Sequence, residues 1–326
     1  MDNVSLILQA LLAIAIGSVG IIGLFYALNI LVEKFLPKTT QRWVLPWIYI
    51  GPAILLLGVY LVVPVVRTLY LSFLDNSSDR FVGLQNYWFV LTAPDTLITF
   101  RNNILWLVLV TGISVGLGLI VAVLIDRVKY ENLAKSLIFL PMAISFVGAS
   151  VIWRFIYAYR PEGTAQIGLL NAIVTSLGFE PIGWLVNPAI NNFALIAIMI
   201  WLQTGFCMVL LSSAVKGVPD DVLEAARVDG ATEIQIFWRI IIPMIMPTVT
   251  VVATTVIVAV LKVFDIVFVM TGGNLGTDVI ASRMIREMFN FRNYGRGSAI
   301  AVILLIAVIP VMVTNVRRFR QQELDR

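Results

Sequence analysis

Histidine is absent, which removes imidazole triads, imidazole metal ligands and histidine proton relays from consideration. Cysteine occurs once, as Cys207 within an apolar run, so there is neither an intrachain disulfide nor a redox pair. That residue reads as a small hydrophobe at a helix interface. Charge is scarce too: 13% of the 326 residues, against about 25% for a soluble chain. No G-x-x-x-x-G-K-[ST] string occurs, so the chain does not bind ATP through a phosphate-cradling loop. No internal repeat or low-complexity tract stands out.

What is present is apolar. Hydrophobic residues make up 60% of the chain, and the net charge of +4 is spread rather than clustered, which suggests lipid and not nucleic acid as the environment. Seven stretches are long enough to cross a hydrocarbon layer of about 30 Å: 4–32, 44–66, 103–125, 133–158, 191–215, 245–270 and 298–316. The first differs from a secretory signal, having Asp2 and no basic residue before Lys34, and is expected to be a retained helix with its N-terminus outside. Gly17, Gly20 and Gly23 give it a small face for helix contact. With the C-terminus inside, 13 of the 23 Lys and Arg fall on the inner side and nine outside, leaving Lys262 in the membrane. The bias has the sign that the positive-inside rule requires. Four of the outer charges, Arg283, Arg286, Arg292 and Arg296, lie in the last external loop. There Thr277 or Asp278 can cap a short surface helix with Ile280, Met284 and Met288 on one face and an Arg283–Glu287 pair.

The longest polar-rich stretch between two spans is 216–247. Pro219 suits a helix start, Asp220 and Asp221 put negative charge at its positive end, and Gly230 ends it in a left-handed turn. Thr232 can cap a second short helix, which Pro243 and Pro247 should keep from running unbroken into the next span.

The pattern Glu224-Ala225-Ala226, Gly230, Ile240-x-Ile242-Pro243 resembles the EAA loop of binding-protein-dependent ABC importer permeases, with isoleucine at 242 where leucine is more usual. The resemblance implies that 216–243 docks in a cytoplasmic ATPase and passes its closure to the spans, Glu224 meeting a basic group there. Phe81 to Tyr87 and Thr271-Gly272-Gly273 resemble external elements of the carbohydrate branch of that family. The implied fold is all-α: a polytopic six-helix type I permease core (44–316) preceded by one extra transmembrane helix and link (1–43) and followed by a cytoplasmic tail (317–326). The first external loop, 67–101, lacks the large insertion of maltose-type permeases, and the extra helix is similar to α-glucoside and glucosylglycerol permeases. The implied setting is the bacterial inner membrane. A second permease, an ATPase dimer and a periplasmic or lipid-anchored solute-binding protein would be partners, and ATP and Mg would be bound by the ATPase, with no cofactor on this chain. It would be a transport subunit and not an enzyme.

A charge at the centre of a span costs on the order of 2.5–3.5 kcal/mol, so Lys262 and Asp265 need a reason. Three apart, they can pair on one helix face. By carry-over from sugar permeases, Asp265 matches a sugar-contact position, as do Leu202, Gln203 and Phe206 before the docking loop. An aromatic beside amide and carboxylate acceptors suits a neutral sugar or glucosylated polyol. The simpler alternative is that Lys262 and Asp265 tie helices together, that Gln203 is an interhelical hydrogen bond and that Phe206 is packing. Two rival functions are an ion-coupled carrier using Asp265, and a permease for an ester such as a glycerol phosphate. The carrier reading needs no docking loop and favours inverted repeats. An integral-membrane enzyme is disfavoured by the missing histidines.

Overall fold

The computed structural model describes residues 3–126 and 128–324. Asp2, and Arg127 and Arg326 among the 13 basic residues counted on the inner side, lie outside the described residues, as do the side chains of Arg318 and Arg320 of that count. Among the described residues there are helices and one isolated antiparallel bridge, Leu74 to Phe81. Six helices are long and apolar enough to cross a membrane: Ile7–Phe35, Lys38–Leu71, Pro94–Ile125, Asn191–Lys216, Glu233–Leu261 and Tyr294–Thr314. A bent pair, Glu131–Ala143 with Phe146–Ile156, makes a seventh if its two helices count as one span. Counted so, these helices correspond to the seven expected spans.

The chain divides into two units, Met1–Thr68 and Leu69–Arg326. In the first, α1 (Asn3–Phe35) and α2 (Lys38–Leu57) form a hairpin. Gln41 Nε2 donates to Leu36 O at 2.9 Å across the link, and further up the Tyr49 ring stacks on Phe25 at 5.6 Å. A π turn, Gly58–Val62, joins α2 to α3 (Val63–Leu71). It ends two residues before Pro64, where a helical N–H is missing, so the wider turn falls where the regular ladder is already interrupted.

The second unit runs through α4 (Gln85–Thr92), α5 (Pro94–Ile125), α6 (Glu131–Phe139), α7 (Phe146–Ile156), α8 (Leu169–Ser176) and α9 (Asn191–Lys216). It continues with α10 (Asp220–Val228), α11 (Glu233–Ile236), α12 (Ile242–Leu261), α13 (Asp265–Thr271), α14 (Ile280–Ile285) and α15 (Tyr294–Leu324). Its core is the long contact of α5 with α9, covered by α12. Trp106, Val110 and Ala122 of α5, Leu195, Met199 and Met208 of α9, and Val252, Val256 and Val260 of α12 are buried there. A Cβ at Gly118 of α5 would lie 2.5 Å from Cys207 Cβ, so Cys207 is the interface hydrophobe its setting suggested.

Four local expectations are corrected. The fourth span is not one helix: α6 ends in a 3-10 turn, Leu140–Ala143, and α7 restarts at Phe146 after a bend of 100°. Pro141 removes a helical donor, and Ser145 caps α7 by accepting from Gly148 N at 3.0 Å. The sixth span breaks at Lys262, so α12 and α13 are separate helices. The last external helix, α14, is not a surface helix: Ile280 to Arg283 are buried, and its N-cap is Val279 and not Thr277 or Asp278. The Arg283–Glu287 pair does form, with Nε to Oε1 at 3.0 Å, because the i,i+4 spacing needs no knowledge of the surroundings. Pro243 and Pro247 do not stop α11, which runs through a π turn, Phe237–Ile241, into α12. As at Pro64, the turn ends two residues before a proline, and Pro243 falls in the first turn of α12, where a missing N–H costs little.

At the end of the unit opposite α10, asparagines hold the loop that follows α13. Asn102 Nδ2 donates to Gly276 O at 2.7 Å and Asp278 O at 2.8 Å, Asn191 Nδ2 to Leu275 O at 2.9 Å, and Asn103 Oδ1 accepts from Ile280 N at 2.7 Å. Asn102 is fully buried. Asn102→Ala leaves two carbonyls without that donor and is expected to cost about 1–3 kcal/mol, read as a fall in the thermal midpoint of the detergent-solubilised protein. An unchanged midpoint would show that the loop holds itself.

Candidate functional site

Two features share one helix, α9, one at its C-terminal end and the other at its middle. The first is the loop that follows Lys216. Pro219 is the N-cap of α10, Asp220 and Asp221 occupy its first turn, and Val222, Glu224, Ala225 and Val228 are exposed. Ala226 and Leu223 turn inward and pack on the core. The helix ends in a complete Schellman motif: Gly230 N donates to Arg227 O and Ala231 N to Ala226 O, each at 3.0 Å, with Gly230 at φ +81. Thr232 then caps α11 in a capping box with Gln235. Arg227 spans the turn, its Nε 2.7 Å from Glu233 Oε1, so the two helices are fixed at their angle by a glycine, a cap and an ion pair. The pairing with Glu233 also raises the pKa of the Arg227 guanidinium, which stays charged at any physiological pH. Ile240 lies in the π turn, half-buried, and Pro243 is exposed at the start of α12. Of the predicted docking residues, Glu224, Ala225, Gly230 and Pro243 are exposed, while Ala226 and Ile240 are half-buried against the core.

The second feature is a cavity of about 410 Å³, lined by Met142, Ile144, Ser145, Phe146, Val147, Leu202, Gln203 and Asp265. Counting from Lys216, Gln203 stands about 20 Å up α9 at ~1.5 Å per residue. Three of the five residues proposed to touch substrate, Leu202, Gln203 and Asp265, line this cavity. The other two do not. Phe206 packs against the core, and Lys262 is exposed at the C-cap of α12. Lys262 and Asp265 form no ion pair among the described residues, because the helix break between them, with Phe264 at φ −139, takes them off a common face. Asp265 instead opens α13 as its first residue.

The cavity wall that residue reasoning missed is the corner Met142 to Val147. It exists only because the fourth span bends, and the signals for the bend, Pro141 and a serine three residues before a glycine, were in plain view. The lining is apolar apart from one hydroxyl, one amide and one carboxylate. It holds no basic side chain. Such a space can accept hydrogen bonds from hydroxyls at Asp265 and exchange them at Gln203 and Ser145, while Phe146 and the aliphatics cover the C–H faces of a ring. An anionic solute would find no cation there. A volume near 400 Å³ lies in the range of small-molecule sites.

Residues 114–322 match the family described as binding-protein-dependent transport system inner membrane component. The osmoprotective compounds uptake permease protein GgtC of Synechocystis sp. is 70% identical over 275 residues, which cover 84% of this chain and 99% of that protein. The alpha-glucoside transport system permease protein AglF of Rhizobium meliloti is 44% identical over 324 residues, 95% of this chain and 96% of that protein. Among solved structures, a bacterial ABC transporter involved in import of the acidic polysaccharide alginate has a chain that superimposes with a TM-score of 0.74 at 21% identity, covering 87% of this chain and 98% of that one. That likeness concerns the fold.

Proposed function

Since the chain belongs to the family of binding-protein-dependent transport system inner membrane components, a multi-pass membrane family, we propose that it is the permease subunit that carries a neutral glucosylated polyol or α-glucoside across the membrane. The observation that carries the substrate reading is the cavity beside α9, whose only charged lining group is Asp265. The names of the two relatives, one for osmoprotective compounds and one for alpha-glucosides, agree with that chemistry. The docking face around Glu224, Ala225 and Ala226 fits a cytoplasmic ATPase, which supplies ATP, Mg and the work. A second permease completes the pathway, and a solute-binding protein outside delivers the sugar. In a solved alginate transporter the complex does include a periplasmic protein bound to an alginate pentasaccharide. The order of the helices supports a six-helix core, one extra helix ahead of it and a loop at 216–243 for docking. On this reading closure of the ATPase pushes α10, α9 moves with it, and the cavity changes the side from which it is reached.

The test is uptake of labelled glucosylglycerol into cells with the intact importer, challenged by unlabelled competitors. Neutral α-glucosides should compete and glycerol 3-phosphate should not, because the cavity offers a carboxylate and no cation. Competition by the phosphate ester would replace the substrate class. Uptake that survives ATP depletion and collapses with the proton gradient would establish the ion-coupled carrier instead. Lys262→Ala, outside the cavity, is expected to change uptake by less than about twofold.

A further inference from the structure

We infer that Asp126, Glu131, Lys135 and Lys216 form a joint that binds the root of the docking loop to the helix carrying the cavity corner, and that the Glu131–Lys216 pair transmits nucleotide-driven movement to the cavity. The inference rests on the importer reading above.

The four groups bring three helix ends together. Lys216, the last residue of α9, places Nζ 2.6 Å from Glu131 Oε1 and 3.6 Å from Asp126 Oδ1. Glu131, the first residue of α6, is also bound by Lys135, which donates in turn to Ser212, one turn up α9. Two positive and two negative groups leave the joint neutral. The placement follows helix electrostatics: a carboxylate opens α6 and an ammonium closes α9. Asp126 caps the negative end of α5, an unfavourable position that Lys216 offsets. The Glu131 side chain is 20% exposed and that of Lys216 48%, so the pair is half shielded, while the Glu131–Lys135 contact beneath it is screened less than an open surface pair.

A second contact fixes the other end of α6. A Cβ at Gly205 would lie 2.4 Å from Ile138 O and 2.8 Å from Phe139 Cα, so the α6 backbone rests directly on α9. Held at both ends, α6 cannot slide along α9. It leads through the 3-10 turn into Met142, Ile144 and Ser145, one wall of the cavity, while α9 itself carries Leu202 and Gln203. Only Gly217, Val218 and Pro219 separate Lys216 from α10. A push on α10 therefore reaches Lys216 first. With the joint intact, both walls move as one body relative to Asp265 on α13; without it, α9 moves and the α6 wall lags.

The test uses the complete complex with its ATPase, reconstituted with this chain carrying Cys207→Ser and a reporter, Val147→Cys, in the cavity. The rate at which a maleimide labels the reporter is compared between the resting and the ATP–vanadate-trapped complex. With the native joint the rate should change by about fivefold or more, the size of ordinary coupling between sites. Glu131→Gln and Lys216→Met should each remove most of that change while the ATPase still copurifies and turns over. The double variant should be no worse than the stronger single, because the pair acts as a unit. Lys216→Arg, which keeps charge and reach, should retain the change. The inference is overturned if Glu131→Gln keeps the full change, if Lys216→Arg loses it, or if both neutral variants lose the ATPase itself, since the joint is then merely structural. A complex with the native joint that hydrolyses ATP with no change in labelling, or hydrolyses none, overturns the importer reading first.

Discussion

Gly230→Val is expected to leave the chain in the membrane and to lower ATP-driven uptake about a hundredfold. The reason lies in the backbone: Gly230 sits at φ +81, and a Cβ built there meets no atom within 4 Å, so space is not the obstacle. An L-residue in the left-handed region costs about 1–2 kcal/mol, and a β-branched one more. The cheaper outcome for the variant is to continue α10 past Asp229. That breaks the bonds from Gly230 N to Arg227 O and from Ala231 N to Ala226 O, redirects α11 and separates Arg227 from Glu233. A displaced docking face should lower uptake by about a hundredfold, the order expected when positioning is lost by roughly an ångström. Gly230→Asn, which tolerates the left-handed region, should keep much of the activity. Membrane content by immunoblot and initial rates of labelled uptake decide it. Valine-variant uptake within twofold of native, still dependent on ATP, would sink the role given to the turn.

Asp265→Ala is the second large effect, and it falls on the substrate and not on the coupling. The carboxylate is the one charged group of the cavity, and a hydrogen bond from a sugar hydroxyl to a charged acceptor is worth about 1.5–3 kcal/mol. Its loss should lower the kcat/KM of uptake by roughly ten- to a hundredfold. Asp265→Asn keeps an acceptor of the same shape and should lose less. The measurement is initial uptake against glucosylglycerol concentration for the three chains at equal membrane content. If both variants are equally dead and uptake in native cells follows the proton gradient, Asp265 carries an ion and the sugar reading fails.

The two predictions differ in how far they could be read along the chain. Gly230 follows from neighbours within a few residues: proline start, acidic first turn, glycine stop, threonine cap. Every one of these acts over a single helical turn, so the α10–α11 geometry was legible before any coordinates. Asp265 was legible as a costly charge in an apolar span, but its partner was misassigned to Lys262. Helical periodicity placed the two on one face, and the break at Lys262–Phe264, which carries no proline or glycine, took them apart. Its real neighbours, Met142 to Val147, come from a stretch more than a hundred residues away.

Composition and periodicity by themselves determined that this is a membrane chain with six or seven apolar spans and a polar helix–turn–helix between two of them, because transfer of apolar side chains to lipid and the geometry of caps and turns are local properties of the residues concerned. The cost of a charge in an apolar span set Asp265 apart, and the resemblance to sugar permeases added Leu202 and Gln203. Only the tertiary structure decided which of them share a cavity, that Phe206 packs in the core and that the last external helix is buried. It alone brought Glu131 to Lys216. Those outcomes depend on where helices distant in sequence bend and how closely their backbones approach, as at Gly118 and Gly205, and no single segment carries that information.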